Sequence, residues 1–113
     1  MRSFANFQYT GYMPFVKVGS TGELPPDSMR EFTVGENCYA LCNVEGEVYA
    51  IAGLCLHRGG PLAEGALHGT KVVCPWHAWE WDCRTGANEY NADQKTATYA
   101  VKIEGEDILI DVP

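Results

Sequence analysis

Two short segments of this 113-residue chain carry side chains able to hold a transition metal. CLHRGGPLAEG, starting at Cys55, places His57 two positions after its cysteine, and CPWHAWEW, starting at Cys74, places His77 three positions after its own. The whole pattern reads C-x-H, sixteen residues, then C-x2-H. Thiolate and imidazole are soft or borderline ligands, so two of each on facing loops complete the shell of a transition-metal site. Gly53, Gly59, Gly60 and Gly65, with Pro61 and Pro75, let the backbone bend tightly around a bulky centre. Two metal readings compete. A structural zinc site groups its cysteines in one C-x2-4-C knuckle and its histidines in another segment. Here each segment supplies one of each kind, which fits a [2Fe-2S] cluster with both cysteines on one iron and both histidines on the other.

The elements that must position these loops read as β-strands. Alternation with period two recurs, and no run of eleven or more residues shows the i, i+3, i+4, i+7 pattern of a helix. Phe15 to Val18 and Met29 to Val34 are expected strands, separated by a turn-rich stretch with Pro25-Pro26. CYALCNVEGEVYAIAG reads as a hairpin whose turn is Glu45-Gly46. Lys71 to Val73 and Trp79 to Cys83 follow, the latter ended by Arg84-Thr85-Gly86. Thr98 to Ile103 and Asp107 to Val112 form a second hairpin. Many short strands with regular turns point to a small antiparallel sandwich or barrel.

Length and composition narrow the function. One compact domain spanning 1–113 is expected at 12.5 kDa. Eight basic against fifteen acidic residues give a net charge of -7, with no segregated basic patch, which excludes nucleic acid as a partner. No stretch approaches the ~18 to 20 apolar residues of a membrane span. The N-terminus has no apolar h-region, so the expected location is the cytoplasm. Five cysteines, an odd number without an export signal, read as thiols kept reduced or bound to metal.

With Cys55, His57, Cys74 and His77 at the ligand positions, the chain resembles a Rieske iron-sulfur protein. The resemblance extends to Gly59-Gly60-Pro61-Leu62, Glu64-Gly65, Cys74-Pro75-Trp76-His77 and Arg84-Thr85-Gly86, and covers residues 14 to 112. It implies an all-β Rieske fold of three antiparallel sheets, with a small inserted cluster-binding subdomain at about 53–86 and residues 1–13 as an N-terminal arm. It also implies one [2Fe-2S] cluster, with His57 and His77 outermost and the cluster tip as the docking surface.

The high-potential branch of that family carries a second cysteine in each ligand loop, where this chain has Gly60 and Trp76. That branch also places a Ser and a Tyr, donors to cluster sulfur, where this chain has Trp79 and Trp81. Loss of those hydroxyls implies a potential toward the lower end of the ~ -150 to +300 mV Rieske range. What remains is a soluble ferredoxin, resembling those that pass single electrons from a flavoprotein reductase to a ring-hydroxylating terminal oxygenase. The chain is too short to hold such an oxygenase's catalytic domain, so it is expected to be a carrier rather than an enzyme. The alternative is a small Rieske accessory subunit of a larger reductase, such as nitrite reductase.

The remaining candidates have plainer readings. Cys38 and Cys42 share a strand face with Ala40 and Val44 and read as buried small hydrophobes, as does Cys83. His68 reads as a surface residue beside a turn, and Arg58 as an exposed residue at the tip. Trp76, Trp79 and Trp81 read as packing around the cluster base. Asn88 to Thr98 lacks the proline found in many relatives, so the expectation on that side is either looser cover or cover built from Tyr90.

Overall fold

The computed structural model describes residues 15–54, 61–76, 79–90 and 94–111. The arm at 1–13, Arg58, Gly59, Gly60, Val112 and three of the four expected ligands, Cys55, His57 and His77, lie outside the described residues. In chain order the strands are β1 (Phe15–Ser20), β2 (Ser28–Val34), β3 (Asn37–Val44), β4 (Glu47–Ala52), β5 (Ala66–His68), β6 (Lys71–Val73), β7 (Glu80–Asp82), β8 (Thr98–Tyr99), β9 (Val101–Glu104) and β10 (Asp107–Asp111). They form three sheets: a terminal sheet of order β1-β10-β9, a central sheet of order β2-β3-β4-β8, and a small sheet of order β5-β6-β7. Every pairing is antiparallel, as the all-β Rieske reading expects.

Local chemistry explains the central hairpin. Val44 faces Glu47 across a two-residue loop in which Glu45 has φ 53° and Gly46 φ 96°. Two positive φ values match the type I′ turn, whose twist suits paired strands. Asn43 reinforces the corner, its Oδ1 accepting from the Gly46 N–H at 2.8 Å while its amide donates to the Leu24 carbonyl at 2.8 Å.

Because β3 and β4 lie between the other two sheets, alternate side chains enter different cores. Tyr39, Leu41 and Ala50 join Leu24, Phe32, Ile108 and Ile110 toward the terminal sheet. Ala40, Cys42 and Ile51 join Leu62, Val72, Cys74, Trp81 and Cys83 toward the small sheet. Residues 39–43 are therefore buried on both faces, which accounts for the unbroken apolar run YALC.

Two expectations need correction. The strand expected over Thr98 to Ile103 is split at Ala100, because β8 pairs with β4 in the central sheet whereas β9 pairs with β10 in the terminal one. Ala100 holds the crossing point: its N–H donates to Asp111 Oδ1 at 2.7 Å and its carbonyl accepts from the Asp111 N–H at 3.1 Å. The strand β5 is absent from the sequence reading, since three residues carry no periodicity of their own and depend on β6 for their ladder.

Candidate metal centre

In chain order the first expected ligand segment follows β4 of the central sheet, and the second lies between β6 and β7 of the small sheet. The first is clasped at its base, where Leu54 bridges Pro61 and the Leu62 N–H donates to the Gly53 carbonyl at 2.9 Å. Gly53 is in turn tied to the central sheet, its N–H donating to the Cys38 carbonyl at 3.0 Å, and a Cβ at this position would lie 2.8 Å from that carbonyl oxygen. The second loop opens at Cys74, directly after β6, and is closed by its N–H donating to the Trp79 carbonyl at 2.8 Å. Gly65 lets the end of the first segment press against the second, since a Cβ there would collide with the Val73 carbonyl oxygen.

Cys74 is the one expected ligand within the described residues, and it is buried in the same core as Leu62, Val72 and Trp81. Among the described residues, no three His, Cys, Asp or Glu side chains converge on one point. The three tryptophans separate. Trp81 is fully buried and Trp79 packs against it with ring centroids 6.2 Å apart, but Trp76 is 58% exposed. Trp76 therefore does not pack at the base as expected: it sits in the turn after Pro75, where strand alternation no longer applies. Leu54, at the mouth of the first loop, is also half exposed.

The Trp81 indole nitrogen is buried without a hydrogen-bond partner among the described residues. Leaving such a donor unmatched costs about 1–3 kcal/mol, and buried polar groups are normally paired. The sequence contains the indole donors, but alternation alone does not say which of the three rings is fully enclosed.

Asp82 organises the turn that closes the small sheet. Its Oδ1 accepts from the Arg84 N–H at 2.8 Å, and its carbonyl accepts from the Gly86 N–H at 2.7 Å. Burial works against the Asp82 charge, yet the Arg84 backbone and guanidinium donors and the Thr85 N–H hold its carboxyl below the usual carboxylate range. Gly86, at φ 81°, faces the Thr96 carbonyl, which leaves no room for a side chain. Tyr90 is exposed and donates from its hydroxyl to Glu80 Oε2 at 3.3 Å, so it lies over β7 as a surface cover.

Cys42 and Cys83 are buried as expected, while Cys38 is only half-buried, because the surface depression lined by Glu36, Asn37, Leu54 and Tyr99 reaches it. Contact with the Cys83 thiol, together with burial, pushes the Cys42 pKa far up, so Cys42 stays protonated. His68, at the end of β5, is exposed as expected.

Residues 14–105 match the family described as the Rieske [2Fe-2S] domain. The chain belongs to the Rieske family. The ferredoxin component of biphenyl 2,3-dioxygenase from Rhodococcus jostii (strain RHA1) is 37% identical over 101 residues, covering 88% of this chain and 94% of that one. The naphthalene 1,2-dioxygenase system ferredoxin component of Pseudomonas aeruginosa is 38% identical over 91 residues, 80% of this chain and 88% of that one. Among solved structures, the ferredoxin of carbazole 1,9a-dioxygenase from Nocardioides aromaticivorans IC177 superposes with a TM-score of 0.78 at 29% identity, covering 85% of this chain and 95% of that one. As a Rieske protein the chain carries one [2Fe-2S] cluster. The residues present fit that group: the Cys74 thiol is already withdrawn from water, and an N–H with no partner among the described residues lies in the same core.

Proposed function

We propose that this protein is a one-electron carrier that passes electrons from a flavoprotein ferredoxin reductase to a terminal oxygenase, with Cys55, His57, Cys74 and His77 holding its cluster. When bound, a Rieske cluster takes up and releases one electron at a time. The observation that carries the reading is the 37% identity with a dioxygenase ferredoxin component over nearly its full length.

In this reading Cys55 and Cys74 supply thiolates to one iron, and His57 and His77 supply imidazole nitrogens to the other. Residues 1–113 form a single Rieske domain, about 53–86 form the cluster-binding subdomain, and 1–13 form an arm. Leu54 and Trp76 support docking at the tip: each is about half exposed and adjacent in sequence to a proposed ligand. Exposed apolar side chains of this kind suit a transient protein contact. No helix among the described residues is long and apolar enough to cross a membrane, and a cytoplasmic location is part of the proposal.

Reconstitution tests the reading. Hydroxylation by a ring-hydroxylating oxygenase, driven by reduced nicotinamide through a flavoprotein reductase, is expected to require the iron-loaded protein. Equal turnover without it would contradict the carrier role.

A further inference from the structure

We propose that β9 is a self-pairing edge: two copies of this chain join antiparallel through β9, with Ile103 opposite Ile103 and Lys102 opposite the second copy's Glu104. The inference is independent of the ligand assignment.

Among the described residues, β9 is an outer strand of the terminal sheet, paired to β10 alone. Glu104 and Asp107 flank a two-residue loop, and residues so placed exchange backbone hydrogen bonds. Bonded and non-bonded pairs then alternate, so Lys102 bonds to Leu109 while Val101 and Ile103 turn their N–H and carbonyl groups away from β10. The next bonded pair, with the Asp111 N–H donating to the Ala100 carbonyl, agrees with this phase. Among the described residues, no backbone hydrogen bond reaches the outward groups of Ile103.

Side chains make this edge apolar on one face and charged on the other. Ile103 stands opposite Ile108, which is fully buried against the central sheet, yet Ile103 itself is 45% exposed. It is the one large exposed apolar side chain of the terminal sheet among the described residues, so the core ends there in an open rim. On the other face Lys102 and Glu104 are each about half exposed and form an ion pair at 2.9 Å.

The sequence Val-Lys-Ile-Glu at 101–104 is its own complement. A two-fold axis at Ile103 lets the two Ile103 residues exchange backbone bonds and extends the apolar rim. It also sets two Lys102–Glu104 pairs directly opposite at non-hydrogen-bonded positions, where side chains approach most closely. A pairing centred on Lys102 or Glu104 would oppose like charges and turn the bonding groups away. The terminal and small sheets pack on opposite faces of the central sheet, so this pairing leaves the small sheet uncovered. An edge of four residues buries far less area than a standard stable interface, so the dimer is weak and concentration-dependent.

Sedimentation equilibrium of the full, iron-loaded chain from micromolar to millimolar concentration tests the pairing. Reversible monomer–dimer behaviour is expected, weakened about tenfold by Lys102→Glu or by Glu104→Lys, each of which opposes like charges at both pairs. The two substitutions in one chain are expected to restore association, and an equimolar mixture of the two single variants to form a heterodimer. A monomer at every concentration, or a dimer indifferent to the single reversals or not restored by the double one, would overturn the proposal. Should a variant fail to fold, hydrogen exchange of the wild type decides. Protection of the Ile103 amide that rises with concentration supports self-pairing, whereas protection independent of concentration means that the edge is covered by the chain's own residues and overturns it.

Discussion

The two faces of the central sheet are built from the same strands, yet they enclose different materials. Toward the terminal sheet, Leu24, Phe32, Tyr39, Leu41, Ala50, Ile108 and Ile110 make a conventional apolar core. Toward the small sheet, three of the eight buried core residues among those described are cysteines, and a fourth carries an indole N–H with no partner among the described residues. On β3 the division is residue by residue, Leu41 entering one core and Cys42 the other. The first core holds the chain together, and the second, softer in its chemistry, forms the floor of the proposed metal site. Stability and function thus load opposite faces of one strand, and substitutions should separate them.

The largest effect is expected at the ligands. His57→Ala or Cys74→Ala should abolish the Rieske paramagnetic signal while the terminal-sheet core keeps the chain folded, as circular dichroism would report. On the opposite face, Leu41→Ala should cost about 2–5 kcal/mol in denaturant unfolding yet leave the signal of the folded, loaded protein unchanged. A cluster lost together with Leu41 at modest denaturant would show that the two faces are not separable.

Gly86→Ala tests the seam between the small sheet and the segment that returns to the centre. A side chain there must adopt φ 81° and meet the Thr96 carbonyl, so a loss of about 1–3 kcal/mol is expected. The smallest effect is the pH dependence owed to Asp82. Its carboxyl titrates lower in the folded than in the unfolded chain, so its contribution is complete above the unfolded carboxylate value. That contribution disappears as pH falls through the folded value, and Asp82→Asn should flatten the acid limb of the denaturation midpoint.

Much of this contrast is legible in the sequence. The candidate ligands stand out by spacing, because a thiol and an imidazole two or three residues apart, twice over, suit metal binding and serve no purpose in strand packing. The Glu45-Gly46 hairpin is equally plain, since both flanking strands alternate and glycine takes the second positive φ. What escapes a sequence reading depends on contacts between distant segments. Ala100 interrupts its strand because the chain changes sheets there, and β5 exists because β6 lies beside it. Trp76 resembles Trp79 and Trp81 in type and spacing, but a turn removes it from the core and leaves it on the surface. The half-exposure of Cys38 likewise reflects a depression formed with Tyr99, far along the chain.

The most direct test of the central claim, that the cysteine-bearing face supports a cluster held by two thiolates and two imidazoles, is electron–nuclear double resonance of the reduced, iron-loaded protein labelled with 15N-histidine. The chain has three histidines, so the method can count those that bind. The account predicts strong coupling to two imidazole nitrogens, with one lost on His57→Ala and the other on His77→Ala. A reduced cluster with no strongly coupled histidine nitrogen would contradict it.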